Sequence, residues 1–397
     1  MKHKRTMRPL IYSLFFLGMA LAFSACKKKD YKPEDSFIKI YDDQDGNKHF
    51  HPLSITTSAS NDGYIILSAY DSWRIHIMKI DNTGEFVWNY ELPSNYVNAV
   101  PNLIQSNGEN YLVCMDAVGL FTYVLKIDEN NHSTTEVSSF PNILYPTYAY
   151  NSGQHVYIQN YNRTSYKTGI HELTPDLATE TQSADLDIFT DVEERIVDHI
   201  TFTGKRMPFF VSSTPEQNYI VMNGFYNYSF SLIFLDQNLN FAGVYNGAGF
   251  NGGLVAISPS GASQFALARF SYDNLYYNAG ATLTPTTIDI TESISAQGNS
   301  ELDAQKPVLI KDLSIGGSSY KAFLSSTRSN QLLLSLYSGG TLAGKKYLGK
   351  NIPLTACDFI QTGDEGLSVL VQAKIMGSFD RIGIMKLSKD QLKELVD

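Results

Sequence analysis

The sequence predicts an all-β fold assembled from one repeated four-stranded unit, and three observations predict it. Short runs of β-branched and aromatic residues recur between Asn, Asp and Gly turns along most of the chain. The composition is 12% aromatic, with 25 Tyr and 22 Phe, and only 18% charged. Tyr64 precedes Ile80 by the same 16 residues that separate Tyr111 from Ile127 and Tyr219 from Leu235, and Asp81, Asp128 and Asp236 follow at the turn each time.

The clearest copy of the unit runs from Leu53 to Tyr90. An inner strand at Ser54 to Ser58 is followed by the turn Asn61-Asp62-Gly63 and the apolar run Tyr64 to Tyr70. After the break at Asp71-Ser72-Trp73, Ile75 to Ile80 resumes the strand pattern, Asp81 to Gly84 turns again, and Phe86 to Tyr90 finishes the unit. Turn chemistry at this spacing gives an antiparallel meander.

A second copy follows from Leu103, with Tyr111 to Met115 and Thr122 to Ile127 as its central strands. A weaker copy centres on His155 to Tyr161, Tyr219 to Leu235 restores the spacing, looser copies centre on Gln264 to Phe270 and Tyr320 to Ser325, and Asp358 to Leu387 repeats the first well. Seven units of about 45 residues match the blades of a seven-bladed β-propeller with four-stranded antiparallel blades. Central strands apolar on both sides require neighbours to stack on them. Phe37 to Tyr41 stands ahead of the first unit and is placed to complete the last one, so the domain is expected to span residues 37–397. Leu186 to Arg206 and Ser293 to Lys306 break the period and read as inter-blade insertions, the first with a helical turn.

The N-terminus has a different character. Lys2, Lys4, Arg5 and Arg8 precede the apolar stretch Leu10 to Ala25, which is shorter than the roughly 20 residues a spanning helix needs. Residues 1–25 therefore read as a cleaved signal peptide, and Phe23-Ser24-Ala25-Cys26 resembles the lipobox of bacterial lipoproteins, which implies acylation of Cys26 and a lipid-anchored, membrane-associated protein. Residues 26–36 read as a polar tether. The whole chain carries a formal charge of −9, and loss of the basic leader makes the remainder more acidic, so nucleic acid is not an expected partner.

The run from Lys79 to Trp88, with Asp81, Thr83, Gly84 and Trp88, resembles the signature of quinoprotein-type propeller blades, whose Trp docks onto a neighbouring blade. In address and composition the chain resembles accessory surface lipoproteins of glycan-uptake systems in the outer membrane, with the propeller lipoprotein of the barrel-assembly machinery as the second likeness. The resemblance implies the fold and an outer-membrane location, with the surface favoured over the periplasm; it does not extend to quinone binding, and no cofactor is expected. WD and kelch signatures are absent.

Topology then selects the candidate site. In a four-stranded blade, the loops from second to third strand and the connections between blades emerge on one face of the disc. Those loops hold Trp73, Tyr161, Arg163, Tyr226, Tyr228, Tyr272, Tyr276, Arg328 and Arg381. Aromatic rings beside amide, carboxylate and guanidinium groups suit a glycan, the rings covering the apolar face of a sugar and the polar groups meeting its hydroxyls. The same residue types suit an envelope-protein partner. No nucleophile-elbow Ser, zinc-type His/Glu spacing or Gly-rich phosphate loop occurs, and a non-enzymatic role is expected. Asp71, Asp116, Asp273 and Asp380 keep glycoside cleavage as an alternative. His49 and His51 form a pair without a third ligand, and Cys114 and Cys357 fall in units too far apart for a disulfide.

Overall fold

The computed structural model describes residues 31–42, 47–71, 73–215, 218–288, 290–350, 352–375 and 379–397. The leader and Cys26 lie outside them. Among the described residues no helix is long and apolar enough to cross a membrane.

The repeated unit forms as the turn chemistry requires. Phe50–Thr57, Gly63–Tyr70, Arg74–Asp81 and Phe86–Glu91 pair in sequence as antiparallel strands. Every residue of Gly63–Tyr70 is buried, so both faces of this central strand are covered; in the outer strand only Trp88 is buried. The second turn is built on Asp81, whose Oδ1 accepts from Thr83 N at 2.8 Å, Thr83 Oγ1 at 2.7 Å and Glu85 N at 2.8 Å. Gly84 sits there at φ 74°, and a Cβ on it would come within 2.6 Å of the Phe37 ring, so glycine is required twice over. Asp128 repeats the device with the amides of Asn130 and Asn131, and Asp236 with those of Asn238 and Asn240. The recurring Asp is therefore a turn cap.

Four-stranded antiparallel sheets recur along the chain. One joins Pro146–Asn151, Val156–Asn162, Lys167–Leu173 and Glu180–Asp187; another joins Val308–Ile315, Ser318–Ser326, Leu332–Ser338 and Thr341–Leu348. Val211–Ser213, Ile220–Tyr226, Ser229–Leu235 and Phe241–Tyr245 make a third, to which Thr287–Ile288 adds in parallel. The first unit and the meander Ile104–Ser106, Glu109–Asp116, Phe121–Asp128 and Ser133–Leu144 are merged into one nine-stranded sheet by the short strand Tyr96–Val97.

Neighbouring units lean on one another through their apolar faces. Trp88 is 6% exposed and stacks on His132 at 5.0 Å, packed with Leu103, Leu112 and Leu125 of the next unit. The chain ends meet as the sequence leads one to expect: Phe37–Tyr41 pairs antiparallel with Asp380–Leu387 and completes the sheet of Leu354–Gln361 and Leu367–Lys374. Across that seam Asp358 Oδ2 accepts from Ser54 Oγ at 3.1 Å and Ile55 N at 3.0 Å, and Ser54 Oγ accepts from Leu103 N at 3.0 Å.

Two details differ from expectation. Ser293 to Lys306 is not a plain insertion, because it contains Gln297–Asn299, the outer strand beside Asn274–Thr282. The stretch expected as a tether is docked from Tyr31 onward: the Tyr31 ring meets Phe37 edge-on at 5.7 Å, and Lys386 Nζ donates to the Pro33 carbonyl. Cys114 is fully buried, whereas Cys357 is only partly so; both are free thiols.

Truncating Trp88 to Ala is expected to cost about 3–5 kcal/mol of stability through the lost inter-unit contact. Phe86→Ala, at a ring 53% exposed in the same strand, is expected to stay within about 0.5 kcal/mol of the parent. Denaturant unfolding of the two variants reads the difference, and equal losses would contradict the docking role.

Candidate functional site

Backbone hydrogen bonds gather the second-to-third-strand loops and the connections between units onto one face. Asn98 N donates to Trp73 O, Ala117 N to Asn95 O, Tyr145 N to Leu120 O, and Ile188 N to Tyr166 O. Tyr228 N donates to Ile188 O, Tyr272 N to Asn251 O, Arg328 N to Glu301 O, and Leu354 N to Asn330 O. The face inferred from topology is thus physically continuous.

The side chains on it divide into rings held inward and rings presented outward. Tyr161 is 1% exposed; its hydroxyl donates to Asp191 Oδ1 at 3.3 Å, and burial first, then Asp191, pushes the phenol well above its ordinary range. Arg163 pairs with Glu193 Oε1 at 3.1 Å, and the Tyr145 hydroxyl donates to the same oxygen at 2.9 Å. Trp73 is part-buried against the cluster containing Val97 and Met115. Tyr226 stacks on Phe241 at 5.5 Å, and Tyr276 lies under the Arg269 guanidinium at 4.1 Å. Arg328 ties two loops together, donating to Leu302 O at 3.1 Å and Asp273 O at 2.6 Å. Arg381 is buried, donates to Lys48 O at 2.9 Å and pairs with Asp42. Asp116 caps its own loop, accepting from the amides of Val118, Gly119 and Phe121.

The outward rings are Tyr228 and Tyr272, 59% and 70% exposed, joined by Tyr166 and Phe189, 45% and 61% exposed. Phe189 and Tyr228 stack on each other at 5.7 Å with 27° between their planes. All four occupy left-handed backbone, at φ 53°, 61°, 65° and 50° for Tyr166, Phe189, Tyr228 and Tyr272. Sequence reasoning selected Tyr228 and Tyr272 but not Phe189, which lies in the insertion, nor Tyr166 as an individual residue.

That insertion shapes a second feature. Helix α1, Glu193–Thr201, buries Ile196, His199 and Ile200 on one stripe and carries Glu193 and Glu194 in its first turn, where the helix dipole favours acids. Beyond Phe202, at φ 57°, the chain crosses toward the inner strands. The Phe202 ring stacks on His51 at 4.1 Å, the Arg206 guanidinium lies 3.9 Å from the Phe202 ring centre, and the Lys205 ammonium is 4.5 Å from the centre of Phe270. The segment borders an open central cavity of about 430 Å³ whose walls come from the inner strands, including Leu53, Thr147, Ile257, Ile310 and Thr355. None of Trp73, Tyr161, Arg163, Tyr226, Tyr228, Tyr272, Tyr276, Arg328 or Arg381 lines it. His49 packs edge-on against Phe379 at 4.4 Å, and among the described residues no group of three metal-ligating side chains assembles.

Comparison with known proteins bears on the fold. No protein-family model matches the chain, and no curated protein is significantly similar in sequence. Among solved structures, the hydrazine synthase of Kuenenia stuttgartiensis is similar at a TM-score of 0.50 and 10% identity, covering 82% of this chain and 96% of that one. The β-propeller domain of the trilobed protease from Pyrococcus furiosus is similar at 0.46 and 10% identity, over 86% of this chain and 95% of that one. A quinohemoprotein alcohol dehydrogenase of Pseudomonas putida HK5 follows at 0.43 and 9%, over 88% and 76%. The structural neighbours are β-propeller proteins, and the chain has a nearly all-β, propeller-type fold.

Burial foremost, and the Arg206 charge next, push His51 down from 6.5 to about 4; the same two causes hold His199 well below 6.5, its Nδ1 accepting from Met207 N at 2.9 Å. The folded chain refuses protons that the unfolded chain binds, so stability is fully present above pH 6.5 and falls as pH is lowered toward 4. Urea midpoints at pH 7 and pH 5 are expected to differ, with a smaller difference in His199→Gln, whose amide oxygen can still accept from Met207. A pH-independent midpoint across that interval would contradict the assignment.

Proposed function

We propose that this protein is a non-catalytic cell-envelope lipoprotein, a seven-bladed propeller anchored through Cys26 in an outer membrane, that binds a glycan on the face carrying Tyr166, Phe189, Tyr228 and Tyr272. The blade count takes the nine-stranded sheet as two meanders bridged by Tyr96–Val97. The anchor rests on the leader and on Cys26, which precedes the first described residue, Tyr31, by a few positions.

The observation that carries the binding reading is the conformation of the four outward rings. A left-handed residue other than glycine is disfavoured by roughly 1–2 kcal/mol, and a ring left about half or more exposed recovers little of that by burial. Gly or Asn would satisfy the same turns at lower cost. Four aromatic residues kept at such positions on one face support a role for the rings in a bound state. A stacked, exposed pair such as Phe189 and Tyr228 offers the flat apolar platform that the carbon face of a sugar covers, and the paired Arg163 and Glu193 supply polar groups suited to hydroxyls.

Affinity electrophoresis of the chain from Lys27 onward through gels containing individual polysaccharides tests the reading. Retardation by at least one polysaccharide is expected, weakened about five-fold or more in Tyr228→Ala and in Phe189→Ala, since a ring contact contributes roughly 1 kcal/mol. Unchanged retardation in both variants would remove the face from the account; no retardation on any polysaccharide would move the weight to an envelope-protein partner. Metabolic labelling with a clickable palmitate analogue is expected to mark the parent and not Cys26→Ala, and label on both would contradict the anchor.

A further inference from the structure

The central cavity carries an uncompensated positive charge against an apolar wall. Arg206 donates its Nε to His199 Nδ1 at 3.4 Å and faces the Phe202 ring, and no carboxylate among the described residues forms an ion pair with it. Lys306 lines the same cavity, also without an ion-pair partner among the described residues. Arg206 and Lys306 are thus two cations on the wall of one cavity, which the Cys357 side chain also lines. Of the two lining carboxylates, Asp358 is held by Lys311 Nζ at 2.5 Å and by Ser54 and Ile55, and Asp380 forms no ion pair with Arg206 or Lys306 among the described residues. Burial holds the Arg206 guanidinium down to about 10, which leaves it charged at neutral pH.

A part-buried guanidinium without a counter-ion is costly unless an anion joins it. Its fork matches an oxyanion in two-point geometry, and an ammonium on the same cavity wall adds a point charge. The remaining wall is largely apolar, with Phe209, Phe210, Val255, Ile257 and Val308 contributing. A cavity of about 430 Å³ has room for a body of drug-like size and not only for an inorganic ion.

We propose that the central cavity is a binding site for an amphipathic organic anion, with a carboxylate-type head drawn to the cationic lining residues Arg206 and Lys306 and an apolar body along the inner strands. The site is distinct from the aromatic face and does not depend on glycan binding there.

The chain from Lys27 onward contains every described wall of the cavity and both strands of the closing pair, and serves as the test protein. Two fluorescent probes of nearly the same shape are compared: anilinonaphthalene sulfonate, which is anionic, and N-phenylnaphthylamine, which is neutral. The anion is expected to bind at one site per chain, more tightly than the neutral probe, and to be displaced by decanoate. Arg206→Gln and Lys306→Gln are each expected to weaken the anion about ten-fold or more, in line with the loss of one charge-assisted contact, and to leave the neutral probe unchanged. Each variant is first checked for a cooperative unfolding transition, and if Arg206→Gln fails to fold, Lys306→Gln decides. Equal binding of the two probes by the parent, absence of anion binding, or undiminished anion binding in a folded variant would overturn the proposal.

Discussion

Everything described depends on the strand pairing that joins the two ends of the chain. Phe37–Tyr41 lies beside Asp380–Leu387, and immediately inside that seam the first strand of the first unit packs on Leu354–Gln361. A single unit has central strands buried on both faces and cannot be stable alone, so each sheet must have a neighbour on either side. Closing the circle supplies the last neighbour and removes an open edge. Lys386, 1% exposed in its side chain and paired with Asp364 at 2.8 Å, and the capping box of helix α2, Lys389–Lys393, whose Gln391 accepts from Ser36 Oγ at 2.6 Å, fasten the same seam.

The closed circle leaves a gap on its axis, and the chain uses its longest departure from the repeat to cross it. The insertion leaves the outer strand Glu180–Asp187, presents Phe189 outward, turns through α1 and lays Phe202 against His51 of the first unit and Lys205 against Phe270 of the strand Gln264–Ser271. One segment thereby supplies a ring of the aromatic face and one side of the central cavity. Both features need the sheets to be fixed first, because the insertion's own buried residues, Ile188, Ile196, Ile200 and Met207, are covered by residues such as Val255, Ala268 and Phe323 from distant parts of the chain.

The strands were legible in the sequence because their signals are local. Tyr64 to Tyr70 and Ile75 to Ile80 stand within one residue of the observed boundaries, since Gly63 and Asp81 set the turns on either side. The face was legible because strand order alone decides where loops emerge. Side-chain direction was not. Tyr161 and Tyr228 occupy equivalent loops, yet the first is the penultimate residue of a strand and points inward to Asp191, while the second sits on left-handed backbone and points out. Gln297–Asn299 was hidden because three residues of low β-propensity pair only through tertiary context. Arg206 was hidden because one cation in a charged insertion reads as solvated until its neighbours are known.

Native-state hydrogen exchange of the closing strands tests the central claim, that the sheets form a circle closed by the N-terminal strand, most directly. The account predicts that amides of Phe37–Tyr41 that bond to Asp380–Leu387 exchange as slowly as those of the interior strand Leu367–Lys374, through global unfolding. Rapid exchange throughout Phe37–Tyr41, while Leu367–Lys374 stays protected, would show an open edge and contradict it.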